Sequence, residues 1–146
     1  MKCPALSLIL FLLASLIPAM ADDDLERKKL EGLWKVVDLE FEGKKANKAS
    51  ISKMRILFKG EAVSVTGEEK DLFLYRVDTS TKPREMDLAT LKEGFLAIYQ
   101  WDGETLKLCL SQKEGEERPK GFETQGTKNF VLTMRRDKSP SKEDVD

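Results

Sequence analysis

The stretch Phe95-Leu96-Ala97-Ile98-Tyr99-Gln100-Trp101-Asp102-Gly103-Glu104-Thr105-Leu106-Lys107-Leu108-Cys109-Leu110-Ser111 decides the fold. Two largely apolar runs flank Asp102-Gly103, a dipeptide suited to a type I′ turn, in which both central residues need positive φ. In the second run Leu106, Leu108 and Leu110 fall on one side and Thr105, Lys107, Cys109 and Ser111 on the other. That period of two belongs to a strand with one buried face, so the segment predicts an antiparallel hairpin.

The same grammar extends in both directions. Upstream, Val37, Leu39 and Phe41 alternate with Asp38, Glu40 and Glu42 before Glu42-Gly43-Lys44 ends the run. Lys45 to Lys53 is a polar loop or helical turn. Met54 to Phe58 and Ala62 to Thr66 form a second tight hairpin about Lys59-Gly60-Glu61, and Gly67 to Lys70 is a charged turn. Leu72 to Val77 is a strand apolar on both faces; Arg84 to Ala89, with Met86 and Leu88 sharing a face, follows the turn Asp78 to Pro83. Downstream, a charged loop from Gln112 to Gly126 leads to a last strand, Lys128 to Arg136. Asp23-Asp24-Leu25-Glu26 opens a short helix, with an Asp-x-x-Glu capping pattern, Leu25 and Leu30 as packing residues and Gly32 as terminator. About eight short strands with hairpin turns and one short N-terminal helix predict an all-β antiparallel barrel or sandwich, in which closure would remove exposed edges.

The chain ends read differently. Met1-Lys2, the apolar run Leu6 to Ile17 and the small residues of Ala19-Met20-Ala21 follow the order of a cleavable signal peptide, residues 1–21. The apolar run is shorter than the roughly 20 residues a bilayer requires, so no membrane span is expected after cleavage. Cys3 precedes the run, which does not fit a lipid anchor. The expectation is an exported chain, periplasmic or secreted, with a barrel domain over 22–137 and a disordered tail over 138–146. Cleavage after Ala21 leaves 146 − 21 = 125 residues, one domain, with a formal charge of 24 − 26 = −2. That balance argues against a nucleic-acid partner.

The chain contains no histidine. Ser-His-Asp and Cys-His nucleophile pairs and imidazole-based zinc sites are therefore excluded. Without Cys3, Cys109 is the remaining thiol, read as structural, and an intramolecular disulfide has no second partner. No metal site or cofactor is predicted. Asp22-Asp23-Asp24 and Glu143-Asp144-Val145-Asp146 lack the spacing of a calcium loop.

Gly32-Leu33-Trp34 lies where helix meets first strand, and Arg135-Arg136 ends the last strand. In a closed barrel these are neighbours, so an Arg stacked on the indole would seal the floor, a structural role for Gly32, Trp34, Arg135 and Arg136. The arrangement resembles the lipocalin pattern. Leu30 to Val37, Thr81 to Leu88, Ala97 to Cys109 and Glu117 to Phe122 resemble an uncharacterised lipocalin-like domain family abundant in planctomycete bacteria. The resemblance implies an exported, up-and-down lipocalin-like barrel and supplies no functional residue. Ala89 to Gly94 is shorter than the corresponding stretch in that family.

Three functional readings stay open. A non-enzymatic binding module would hold a small apolar ligand in the barrel, lined by Ile56, Phe58, Val63, Val65, Leu74, Met86, Leu96, Ile98, Leu106, Leu108 and Leu132, unless these fill the core. An envelope or extracellular interaction protein with a solid core would meet a protein partner through Tyr99, Trp101 and the loop around Arg118 and Phe122. A carboxylate-dependent hydrolase would use Glu116 with Glu117 or Asp102 with Glu104, although adjacent acids in charged turns are usually solvated.

Overall fold

The computed structural model describes residues 20–66, 71–111 and 116–138. Helix α1 (Met20–Leu30) is followed by β1 (Gly32–Phe41), β2 (Lys44–Lys45), α2 (Lys48–Ile51), β3 (Arg55–Lys59), β4 (Ala62–Thr66), β5 (Asp71–Asp78), β6 (Arg84–Ala89), β7 (Gly94–Asp102), β8 (Thr105–Ser111) and β9 (Asn129–Arg136). Every pairing is antiparallel between strands adjacent in the order β1, β3 to β9, and β9 returns to β1 over Trp34↔Arg136 to Phe41↔Phe130. Eight strands thus close a lipocalin-like barrel, and β2 adds a two-residue flap on the far half of β1. The expected signal segment through residue 19, the turn 67–70 and the tail from 139 lie outside the described residues.

Turn chemistry sets the hairpins, with one correction. Asp102 pairs with Thr105, so Gly103 and Glu104 are the central residues, and only Gly103 takes positive φ (60°). A type II′ turn has that requirement, not type I′. Lys59-Gly60-Glu61-Ala62 repeats it, with Gly60 at φ 61°. The pair of positive φ values belongs instead to Glu42 (49°) and Gly43 (72°), between Phe41 and Lys44.

The inner face follows from the registers. Trp34, Ile56, Val63, Tyr75, Met86, Tyr99, Leu106 and Met134 are buried there, with Val36, Phe58, Val77, Leu88, Ala97, Leu108, Leu110 and Leu132. β1 reaches this face twice because a bulge lies between Val36 and Asp38. The extra residue, Val37, switches parity, so Trp34 and Val36 point inward before it and Leu39 packs inward after it. Burial of each large apolar side chain contributes roughly 1.5–3 kcal/mol.

Three expected interior residues are placed elsewhere. Leu74 is 62 % exposed and Leu96 39 % exposed. The registers Tyr75↔Leu88, Val77↔Met86 and Tyr99↔Leu108 fix the opposite parity on β5 and β7, and a one-residue slip would invert every side chain. Ile98 is buried but outside the wall, with Cys109 and Val131 beneath Phe122. The segment 116–127 covers this outer patch. Arg118 pins it, donating to Ala97 O at 2.8 Å and pairing with Asp87 at 2.7 Å and Glu85 at 3.5 Å.

Candidate functional site

Helix α1 closes the barrel end formed by the β3–β4, β5–β6 and β7–β8 turns. It starts at Met20, so Asp23 and Glu26 lie within it rather than forming a cap. Leu25 is exposed, and the inward positions are Asp23, Glu26 and Leu30. Asp23 Oδ1 accepts from Thr79 N at 3.0 Å and Thr79 Oγ1 at 2.8 Å. Glu26, a buried carboxylate, accepts through Oε1 from Trp101 Nε1 at 2.6 Å, Arg84 Nη1 at 3.0 Å and Tyr99 OH at 3.1 Å. An unpaired charge buried this deeply would be strongly destabilising, so the three donors are what permit it. Burial, reinforced by Glu26, pushes the Tyr99 phenol above its ordinary range.

The C-terminal end of α1 is tied down by donors that satisfy its last carbonyls. Trp34 Nε1 donates to Leu30 O at 2.8 Å. Arg136 Nη1 donates to Glu31 O at 2.5 Å and Nη2 to Lys29 O, while the guanidinium lies 4.5 Å from the Trp34 ring centroid. Gly32 has φ +123°, and a Cβ there would come within 2.7 Å of Arg136 Nη1. The backbone conformation therefore requires glycine, and a Cβ would in addition displace the Arg136 guanidinium from its place. Of the two terminal arginines, Arg136 makes the contact on Trp34; Arg135 is exposed.

Beside this seal runs a groove of ≈ 640 Å³, lined by Lys29, Trp34, Lys35, Trp101, Gly103, Glu104, Thr105, Arg135, Arg136 and Lys138. Its two indoles lie 5.7 Å apart and tilted by 49°, and Lys29 Nζ sits 4.0 Å from the Trp101 ring centroid. Five cations face one carboxylate. Among the described residues none of the five is in an ion pair; the bridges involve Arg27, Lys45, Lys48, Arg55, Arg76, Arg84 and Arg118. The groove therefore concentrates uncompensated positive charge beside aromatic surface. A smaller cavity of ≈ 310 Å³ lies across α1, between Asp22, Leu25, Glu26, Lys29, Thr79 and Arg84.

The other sequence candidates are dispersed. Ile56, Phe58, Val63, Met86, Leu106, Leu108 and Leu132 are buried in the barrel, and Val65 packs partly buried against them. Tyr99 is fully buried, so it offers no surface for a partner; Arg118 and Phe122 hold their own loop on the wall. Trp101, half-buried, lines the groove. Glu116 and Glu117 lie on the far loop, whereas Asp102 ends β7 and Glu104 is within the β7–β8 turn at the α1 end. Cys109 is buried, donating to Gly121 O at 3.5 Å, and burial pushes its thiol up to about 11. Among the described residues there is no group of three His, Cys, Asp or Glu side chains able to hold a metal.

The groove itself was not read from the sequence. Lys29, Lys35, Arg135, Arg136 and Lys138 are scattered over the chain, and the overall charge balance hides them. A sequence signal existed only for Trp34 and the arginine pair. Comparison with protein-family models, curated proteins and solved structures finds no match.

Proposed function

We propose that this chain is an exported, non-enzymatic lipocalin-like domain whose working surface is the α1 end of the barrel rather than a ligand cavity inside it. The observation that carries this is how the barrel is filled. Trp34, Phe58, Met86, Tyr99, Leu106 and Met134 come from six strands and are each essentially inaccessible, while the ≈ 310 and ≈ 640 Å³ cavities flank the helix that closes the end. An eight-stranded barrel has just enough interior for side chains of this size to occupy it. The binding-module reading is thus moved from the interior to the rim. Export rests on the order of charged, apolar and small residues over 1–21, and the absence of histidine supports a role without His-dependent catalysis.

The test is titration of the delipidated protein with an environment-sensitive apolar dye. A flat, unsaturable response is expected. Saturable one-to-one binding, abolished by Val63→Trp on the inner face, would restore the interior as the site. Export is checked separately by determining the amino terminus of the protein recovered from outside the cytoplasm, with Asp22 expected.

A further inference from the structure

We propose that the groove between α1, the β7–β8 turn and the end of β9 binds a small polyanion of nucleotide or disaccharide size bearing at least two phosphate or sulfate groups. This rests on the rim being the working surface. The first ground is charge. The lining holds five cations and Glu104, an excess of 5 − 1 = +4, in a chain whose formal net charge is −1. Like charges gathered in one concavity repel, and low-dielectric walls strengthen that repulsion. Elsewhere arginines meet carboxylates: Arg118 with Asp87 and Glu85, Arg55 with Asp137, Arg84 with Glu26. Among the described residues the groove cations do not. A bound anion would supply the missing counter-charge.

The second ground is preorganisation. Arg136 is held by Lys29 O, Glu31 O and the Trp34 ring, and Lys29 lies over Trp101. Two of the five charges are thus already placed, which reduces the ordering cost of binding. Arg135 offers a forked donor matched to phosphate or sulfate oxygens, Arg136 and Lys29 offer fixed positive charge, and Lys35 and Lys138 offer mobile point charges.

Size and charge number narrow the ligand. A volume of ≈ 640 Å³ falls in the roughly 300–1,000 Å³ range of small-molecule sites. A single monoanion would leave most of the excess charge uncompensated, whereas two or more charged groups would meet it. Trp101, half-buried at the edge, gives a sugar or base ring an aromatic surface. A long polymer is disfavoured, because the chain as a whole carries 25 basic and 26 acidic residues and gives no extended positive field.

The test is calorimetry, with tryptophan fluorescence in parallel, on the full chain. The probes are inorganic pyrophosphate and a heparin-derived trisulfated disaccharide, in about 50 mM salt. Saturable binding tighter than about 1 mM is expected for at least one probe. The double variant Lys35→Glu with Arg135→Glu should weaken it at least about tenfold. The same charge change at the opposite end, Lys44→Glu with Lys92→Glu, should weaken it less than about threefold. Tighter binding of the disaccharide would point to an acidic sugar as the source, and the reverse order to a free polyphosphate; both support the site. Failure of both probes to saturate, or equal losses in the two double variants, would overturn it. If anions bind and the apolar dye also binds, the filled interior falls and the groove stands. If neither binds, the groove alone falls.

Discussion

Two sets of cations on the same barrel behave in opposite ways. On the outer wall, Arg118 reaches Asp87, Glu85 and Ala97 O, and Arg76 reaches Asp87 from the neighbouring strand. Both of these arginines have a carboxylate, and the contacts of Arg118 fasten segment 116–127 over Ile98, Cys109 and Val131. At the α1 end, Arg84 has Glu26, but Lys29, Lys35, Arg135, Arg136 and Lys138 have backbone carbonyls, indole faces and solvent. Paired cations hold the fold together. Of the others, Arg136 also fastens α1 through two carbonyls, whereas the rest add little to it, since an exposed cation on an indole contributes only about 0.5–1 kcal/mol. Removing a paired charge should therefore cost stability, and removing an unpaired one should cost binding.

The largest effect expected is at Glu26. Glu26→Ala leaves the Tyr99 hydroxyl and Trp101 indole without an acceptor and Arg84 without its partner. Arg84 is 40 % exposed and can be solvated, so the loss should be about 3 kcal/mol, read as a lower urea midpoint. A loss below about 1 kcal/mol would show that water already serves these donors.

Next is Arg118→Ala, at about 2 kcal/mol by the same measurement. It should also release the segment over Cys109 and speed labelling of that thiol by a disulfide reagent. Burial raises the thiol from 9.0 to about 11. Because the folded value is the higher one, its contribution to stability is complete below pH 9 and is lost as pH rises through about 11. Cys109→Ser should flatten that alkaline limb.

Asp87 gives the acid counterpart. Burial alone would raise its carboxyl, but hydrogen bonds and attraction from Arg118 and Arg76 outweigh this and hold it below the usual range. Its contribution is complete above the unfolded value, about 3.9, and disappears as pH falls through the lower folded value. Asp87→Asn should leave a shallower loss of stability below about pH 4 than the parent shows. An unchanged acid limb would mean that Arg118 is held by Ala97 O and Glu85 instead.

The smallest stability effect belongs to the groove. Lys35→Glu with Arg135→Glu should move the urea midpoint by no more than about 0.5 kcal/mol, while anion binding falls. A large destabilisation would place these two with the fastening cations and erase the contrast.

The barrel was legible because hairpin periodicity and turn residues are local. Leu106, Leu108 and Leu110 declared their face at once, since Lys107 and Thr105 oppose them. Leu72 to Val77 did not, because both parities are apolar; Leu74 was placed inside when Tyr75 and Val77 are there. The segment Phe95 to Trp101 misled for the same reason, and Ile98 is buried only because a distant loop covers it. On β1, the shift from Trp34 and Val36 to Leu39 is visible once a bulge is allowed at Val37, but period-two reading assumes none.

By itself, then, the sequence determined the class of fold, the hairpins about Gly60 and Gly103 and the helix-to-strand join at Gly32-Leu33-Trp34, because each depends on residues within a few positions of one another. Tertiary structure alone decided which face of β5 and β7 is buried and that Glu26 is an interior acid. It also decided that five cations separated by up to 109 positions, Lys29 to Lys138, share one groove. The physical reason is closure. Joining β9 to β1 brings the two ends of the domain together, and a charge balance summed along the chain cannot show which charges that closure makes neighbours.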